Sequence, residues 1–320
     1  MTILRHTHAP RDEILRNFAP FASPEQIRGM VIGNDLDSVI SACYLKQRFG
    51  WDVVATYDYA TLWAAGEPGF GANLAAGAYL ALDLDIYHPQ IYSIGHHIIE
   101  HHHSDRLPGH ARTLNPNCLR GVTISNFRRK YPLATIHFLL WLFDEEPASR
   151  DGRVAVWLAD SAYINAQAHR FAENARDWVD NYLSCGFLSR TLPLVDTPDF
   201  ERILQTRLFP ALAGNPLCSN SGQVVSRHLG LSGYQGQWRD PNAQRDSVLD
   251  LFGRIAKITG WNPPDLPNRF RGVCGQRQTL SLKEILSKYG SLDTFLESEK
   301  VFSYVFPYRD SVNFTKGIIE

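Results

Sequence analysis

Residues 29–57 read GMVIGNDLDSVISACYLKQRFGWDVVATY, and this stretch decides the fold. Residues 29–33 form an apolar run that predicts a short buried strand, and residues 51–57 predict a second one. Between them, the apolar residues of 39–49 have helical spacing and stop at Gly50, a residue type that commonly ends helices. A strand, a helix and a strand in this order are typical of a parallel sheet, so the sequence predicts an α/β protein.

The rest of the chain extends this prediction to a mainly parallel, doubly wound sheet in residues 1–185. Residues 78–84 and 154–158 are apolar runs that predict further buried strands. A domain boundary is expected near residues 185–195, because proline, glycine and asparagine become frequent from there on. Residues 190–320 are then expected to form a smaller, mostly helical C-terminal domain that binds substrate as a cap.

Composition narrows the class of protein. With 44% apolar and 20% charged residues and a net charge of −1, the chain resembles an ordinary soluble globular protein without a basic field for long polyanions. Its five cysteines are scattered and include no CxxC pair, which fits a reducing compartment and argues against a cysteine-based zinc site. No stretch approaches the ~20 apolar residues of a membrane span, so we expect a cytoplasmic protein with no membrane partner.

Four acidic or histidine-rich stretches follow short apolar runs that predict buried strands. In chain order they contain Asp35 and Asp37, Asp83 and Asp85, the segment Glu100-His101-His102-His103, and Asp160. The carboxyl ends of parallel strands meet at one edge of a sheet, so these side chains are expected to lie close together. Carboxylates and imidazoles are ligands for Mn²⁺, and two divalent ions held side by side can cleave a phosphate ester.

Each stretch also has a structural interpretation. An Asp-x-Asp sequence after a strand is often a turn or helix cap, and Asp160 alone is typical of an N-cap. Clustered histidines also occur in exposed loops. The position of the histidine pair is open as well, because His96-His97 is an alternative to His101-His102. We prefer the later pair because residues 98–99 predict a strand immediately before it.

These residues, in this order, resemble the motifs of the DHH phosphoesterase superfamily over roughly residues 28–165. The sequence Asn34-Asp35-Leu36-Asp37-Ser38 resembles the first motif, and Asp83 matches the second. Glu100-His101-His102 is similar to the Asp-His-His that names the family, and Asp160 matches the fourth motif. The family includes single-strand exonucleases, phosphodiesterases of short oligonucleotides and of cyclic dinucleotides, and manganese-dependent pyrophosphatases.

The resemblance implies a role for each matched residue. The implied metal ligands are Asp35, Asp37, Asp83, His101 and Asp160. His102 would contact the substrate phosphate, and Glu100 would orient the histidines from behind. The implied cofactor is a pair of Mn²⁺ ions, with Mg²⁺ as the alternative ion. The implied reaction is hydrolysis of a phosphodiester by metal-activated water, in single-stranded or short oligonucleotides.

Three departures from the family pattern leave other functions open. Val31, Ile32 and Gly33 occupy the region where family members carry an upstream histidine, so Asp85 or His88 is the candidate substitute. Glu100 replaces the usual aspartate. The C-terminal half also lacks the family's glycine-rich triplet and the Ser-Arg-Lys signature of the pyrophosphatases. A hydrolase of cyclic dinucleotides, pyrophosphate or other small phosphates therefore stays open, as does a binding or regulatory module with weakened catalysis.

Two further motifs bear on function. Arg269, Arg271 and Arg277 are expected to hold the substrate phosphate, because guanidinium groups bind phosphate in a bidentate manner; a solvated surface is the alternative. Residues 97–101 also match the HxxEH motif of zinc peptidases, which requires a helix. Gly95 and the β-branched residues within the motif argue against that helix.

Overall fold

The protein is represented by a computed structural model, which describes residues 8–167, 171–221, 223 and 236–319. In chain order, the strands are β1 (Met30–Ile32), β2 (Val53–Tyr57), β3 (Thr61–Ala65), β4 (Leu80–Leu82), β5 (Tyr92–Ile94), β6 (Thr113–Leu114), β7 (Phe270–Cys274), β8 (Gln276–Ser281), β9 (Val301–Tyr308) and β10 (Ser311–Lys316). In chain order, the α-helices are α1 (Arg11–Asn17), α2 (Ala19–Ala22), α3 (Leu36–Phe49), α4 (Phe70–Ala75), α5 (Pro116–Arg120), α6 (Thr135–Phe143), α7 (Arg150–Ala155), α8 (Ala162–Ala166), α9 (Ala172–Arg176), α10 (Gly186–Thr191), α11 (Pro198–Ile203), α12 (Phe209–Leu212), α13 (Arg245–Thr259), α14 (Leu282–Tyr289) and α15 (Leu292–Ser298). Short 3₁₀ or π segments lie between several of these helices.

Within the described residues, the main sheet has seven strands in the order β6-β5-β4-β1-β2-β3-β7. The pairs β1–β4, β4–β5 and β5–β6 are parallel. On the other side, β3 pairs antiparallel with both β2 and β7. The prediction of an α/β fold with a mainly parallel sheet is confirmed.

The order of the strands creates a switch point between β1 and β4. From β1 the chain continues to β2 on one side, and it later returns to place β4 on the other side. Both strands are apolar and completely buried, as is typical of central parallel strands. Ligands of open α/β sheets bind outside the carboxyl ends of the strands at such a point. The residues that follow β1 and β4 are therefore the first candidates for a functional site.

The chain divides into two compact units, each made of separate stretches. The first comprises Met1–Gly33, Val54–Lys130 and Pro267–Glu320, and the second comprises Asn34–Val53 and Tyr131–Leu266. The chain passes from one unit to the other at four points, and none of them falls in the region near residues 185–195 where composition predicts a boundary. The change of composition there instead accompanies a series of short helices in the second unit, from α10 to α12.

The C-terminal part of the first unit differs from the expected helical cap. Strand β7 pairs antiparallel with β3 and so adds an edge strand to the main sheet. The three strands that follow form a separate antiparallel sheet in the order β8-β10-β9, accompanied by α14 and α15. Pairing between strands some 200 residues apart leaves no local signal, which explains why composition did not predict it.

Apart from Val53, the first residue of β2, the regular elements named for the second unit are all helices, joined by irregular segments. Helix α3 begins after Asp35, whose side chain accepts a hydrogen bond from Ser38 N, and ends at Gly50 in the left-handed conformation. It packs against α6 and α13, and the thiol of Cys43 in α3 donates a hydrogen bond to Phe252 O in α13. Apolar helices of this kind bury most of their side chains, so the unit has a core of its own.

Three local predictions are wrong. Residues 154–158 are not a strand but the end of α7 and the start of the 3₁₀ segment Val156–Ser161. Residues 98–99 are not a strand either; the preceding strand is β5, which ends at Ile94. The sequence of residues 161–182 also predicts one long helix, but α8 ends at Ala166, Gln167 is extended, and α9 begins at Ala172. Short apolar runs do not distinguish a strand from a buried helical turn, which is why these predictions failed.

No helix within the described residues combines the length and the apolar character needed to cross a membrane.

Candidate metal centre

Asp83 lies at the carboxyl end of β4, beside the switch point. It follows Leu82 directly and has a φ of 58°, in the left-handed region that residues other than glycine rarely adopt. Its side chain is buried. Backbone strain of this kind persists only where the surrounding structure fixes it, and it is common at functional sites.

His96 faces Asp83 from the end of the neighbouring strand. Strand β5 ends at Ile94, and His96 lies two residues later with a buried side chain. Its Nδ1 is 3.7 Å from Oδ1 of Asp83, which is too long for a hydrogen bond. Two ligands of one ion, each about 2.0–2.2 Å from it, can be up to ~4 Å apart, so this separation suits a shared cation. Ligand atoms of His96 and His97 also lie within 4.8 Å of one another.

Asp85 fixes the loop that carries His96. Its Oδ2 accepts a hydrogen bond from His97 N at 2.7 Å, and its Oδ1 accepts one from Asn115 Nδ2 at 2.9 Å. Asn117 Nδ2 donates to His96 O at 2.7 Å. Burial raises the pKa of Asp85, and the hydrogen bond from His97 N opposes that shift. Both oxygens of Asp85 thus hold the loop, which is a different role from the substitute ligand that the sequence suggested.

Gly95 is required for the approach of this loop to Asp85. A Cβ atom at Gly95 would lie 2.6 Å from Cγ of Asp85, well inside van der Waals contact. We therefore expect Gly95→Ala to lower the free energy of unfolding by about 2 kcal/mol, the usual cost of an overpacked buried position. Urea unfolding measures this change.

Gly71→Ala is the matched control for that variant. Gly71 lies in α4, where an added Cβ meets nothing within 4 Å. Alanine also has a better helix propensity than glycine, so this control is expected to be neutral or slightly stabilising. Equal stability of Gly95→Ala and Gly71→Ala would show that the loop has more room than the structure indicates.

The segment Glu100-His101-His102 lies further along the same connection. Glu100 is buried, forms an isolated parallel bridge with Thr123 and is 3.5 Å from His103 Nδ1. His102 is exposed, with its Nδ1 2.8 Å from Ser104 Oγ. In the described part of the chain, His101 belongs to no group of three or more potential metal ligands. Of the two histidine pairs that the sequence left open, it is thus the earlier one that supplies a neighbour of Asp83, namely His96.

The structure also gives the conformation of the HxxEH motif and the surroundings of His88. Residues 97–101 are not helical, so the HxxEH spacing lacks the helix that a zinc peptidase needs. His88 Nδ1 accepts a hydrogen bond from Gln90 N at 3.2 Å, within a local turn.

In the second unit, Asp37 is completely buried in the first turn of α3. Its Oδ2 accepts a hydrogen bond from Thr135 N at 2.6 Å, and its Oδ1 accepts from Ile136 N at 3.0 Å and from Ser41 Oγ at 3.1 Å. Thr135 is the first residue of α6, so the carboxylate receives the first N–H groups of a helix, where negative charge is favoured. This network holds Asp37 in one orientation. Asp35 is used differently, as the cap of α3.

Asp160 lies at a break in the helical part of the second unit. Asp160 and Ser161 have φ values of 50° and 53°, within the segment that connects α7 to α8. Two successive left-handed residues re-orient the chain sharply, and Asp160 is only partly buried there. Its position at a helix break, rather than at the end of a strand, corrects the sequence-based interpretation.

Arg269, Arg271 and Arg277 are exposed in the C-terminal part of the first unit. Arg269 precedes β7, Arg271 lies on β7 opposite Ala64, and Arg277 lies on β8 opposite Thr315. They therefore lie on or beside strands rather than on a helical cap.

Two buried amides, Asn115 and Asn117, also support this centre, and the sequence motifs do not single them out. A buried amide needs partners of fixed geometry, so it often marks a tightly defined site.

No protein-family model, no curated protein and no solved structure matches this chain. Its function must therefore be argued from the chemistry of these residues.

Proposed function

We propose that the protein is a metal-dependent phosphoesterase of the DHH type, which hydrolyses a phosphodiester in single-stranded or short oligonucleotides. The observation that carries this proposal is the pair of Asp83 and His96. Both side chains are buried at the ends of neighbouring parallel strands, 3.7 Å apart, beside the switch point of the sheet. An α/β sheet offers its ligand site at that position.

The ligand types fit a divalent transition metal. A carboxylate and an imidazole suit Mn²⁺, whereas Mg²⁺ prefers an all-oxygen shell, so Mn²⁺ is the favoured ion. In this proposal, Asp83 and His96 would hold the metals, with His97 nearby.

The bound ions would supply Lewis-acid activation of the phosphoester and of a water molecule. The protein's own residues would orient the metal ligands and bind the substrate. Asp85 and Asn117 fix the backbone around His96, so its imidazole is oriented before any ligand binds. Exposed arginines such as Arg271 and Arg277 are proposed to bind phosphates of the substrate away from the bond that is cleaved.

Paired histidine variants test the proposal and its choice of ligands. We expect His96→Gln to lower Mn²⁺-dependent hydrolysis of bis-p-nitrophenyl phosphate and of a short single-stranded oligonucleotide by more than about 10²-fold, and His101→Gln to change it less than about threefold. The loop should survive in His96→Gln, because Asn117 donates to the backbone oxygen of His96 and not to its ring. Loss of activity only in His101→Gln would favour the later pair. Absence of Mn²⁺-dependent hydrolysis in the wild-type protein would refute the proposal.

A further inference from the structure

The second unit contains a half-open cavity of about 310 Å³ that is separate from the proposed metal ligands. It is formed by α7, the 3₁₀ segment Val156–Ser161, the end of α10 and helix α11. Its lining residues divide into an apolar floor and a charged rim.

The floor consists of aromatic and aliphatic side chains. Trp157, Phe200 and Ile203 are buried, whereas Leu194 is 47% exposed, which is unusual for leucine in this chain. The one polar atom of the Trp157 ring, Nε1, already donates to Thr191 Oγ1 at 3.2 Å. The floor thus offers apolar contact and few hydrogen-bonding partners for a sugar or a nucleobase.

The rim carries an excess of positive charge. Glu146 is shared by Arg190, at 2.8 Å, and Arg153, at 3.6 Å. Asp199 is likewise shared by Arg150 and Arg202. Arg202 lies outside the cavity lining, so the rim itself has three guanidinium groups and two carboxylates and a net charge of +1.

Asp199 is expected to stay ionised within its cluster. The hydrogen bond from Arg202 lowers the pKa of Asp199, and the charge of Arg150 adds to that effect. The guanidinium groups are also largely exposed, so they can turn toward a ligand. The rim therefore complements an anion above an apolar floor.

We propose that this cavity binds a medium-chain aliphatic carboxylate, with the chain on the floor and the carboxylate at the arginine rim. Arginine forms paired hydrogen bonds with carboxylates, and the cavity has the volume of a small-ligand site. The chain of such a ligand would cover the exposed Leu194. This binding site goes beyond the proposed phosphoesterase activity and does not depend on it.

Isothermal titration of the full-length protein with octanoate tests the proposal. We expect one saturable site with a dissociation constant of about 0.1–1 mM, in the range of a small ligand with one charged group. Acetate lacks the chain, octanol lacks the charge and octylammonium reverses it, so each should bind at least about tenfold more weakly. Octanol binding as well as octanoate would refute the role of the rim, and absence of octanoate binding would refute the site.

Variants of lining residues locate the binding. Leu194→Asp places a negative charge at an exposed position on the floor, so folding is preserved while octanoate affinity falls at least about tenfold. Arg190→Gln should weaken octanoate about threefold. Arg176→Gln removes the same charge from an exposed site of the same unit outside the cavity, and it should leave the affinity unchanged. Octanoate binding that Leu194→Asp leaves unaltered would place the ligand elsewhere and overturn the proposal.

Discussion

Replacing Asp83 with asparagine is expected to lower kcat/KM for Mn²⁺-dependent phosphodiester hydrolysis by roughly 10³-fold. An amide keeps the shape of the side chain but loses the charge that a divalent ion requires. Removing an outer hydrogen-bonding partner of a metal ligand costs about 10–100-fold, so losing the ligand itself should cost more. Steady-state hydrolysis of a short single-stranded oligonucleotide at fixed free Mn²⁺ measures the effect.

Asp310→Asn is the control for the loss of charge. Asp310 is an exposed carboxylate of the same unit, in the turn between β9 and β10, far along the chain from the proposed ligands. Its substitution should leave kcat/KM within about twofold of the wild-type value, as is usual for exposed positions. If Asp83→Asn retained the activity of this control, Asp83 would not be a metal ligand.

Replacing Asp37 with alanine is expected to lower the free energy of unfolding by about 2–5 kcal/mol, measured by urea unfolding in EDTA. Its carboxylate accepts hydrogen bonds from the buried N–H groups of Thr135 and Ile136 and from the hydroxyl of Ser41. Alanine leaves both of these N–H groups without this acceptor, and buried donors that lose a partner are costly. Because EDTA removes metal ions, the result reports on folding alone.

Ser41→Ala provides the comparison for Asp37→Ala. It removes only the hydroxyl that donates to Asp37, so its expected cost is about 1 kcal/mol. The difference between the two variants gives the contribution of the two backbone bonds at the start of α6. A loss below about 1 kcal/mol in Asp37→Ala would mean that these bonds are not formed as the structure shows them.

Local sequence signals predicted the part of the fold that carries the site. The apolar run at β1, the helical spacing of α3 and the stop at Gly50 are features of neighbouring residues, and the structure confirms all of them. Asp83 was likewise predicted at the end of a buried strand, and it follows β4 directly. Apolar runs and helical spacing therefore predict those elements whose conformation depends on their own side chains.

Prediction from the sequence failed for features that depend on contacts between distant parts of the chain. Nothing in residues 270–274 indicates pairing with β3, which the structure shows. The position of His96 depends on the hydrogen bond that His97 N donates to Asp85 and on the one that Asn117 Nδ2 donates to His96 O. The preference for His101-His102 rested on a strand at residues 98–99 that does not form. The apolar run before Asp160 had no property that distinguishes a strand from a buried helical turn.

Direct titration with Mn²⁺ tests whether Asp83 and His96 bind divalent metal. Electron paramagnetic resonance of free Mn²⁺ gives the number of ions bound per chain. We expect about two ions on the wild-type protein and fewer than one on Asp83→Asn at the same free concentration. A wild-type protein that binds no Mn²⁺, or an Asp83→Asn variant that binds as many ions as the wild type, would contradict this expectation.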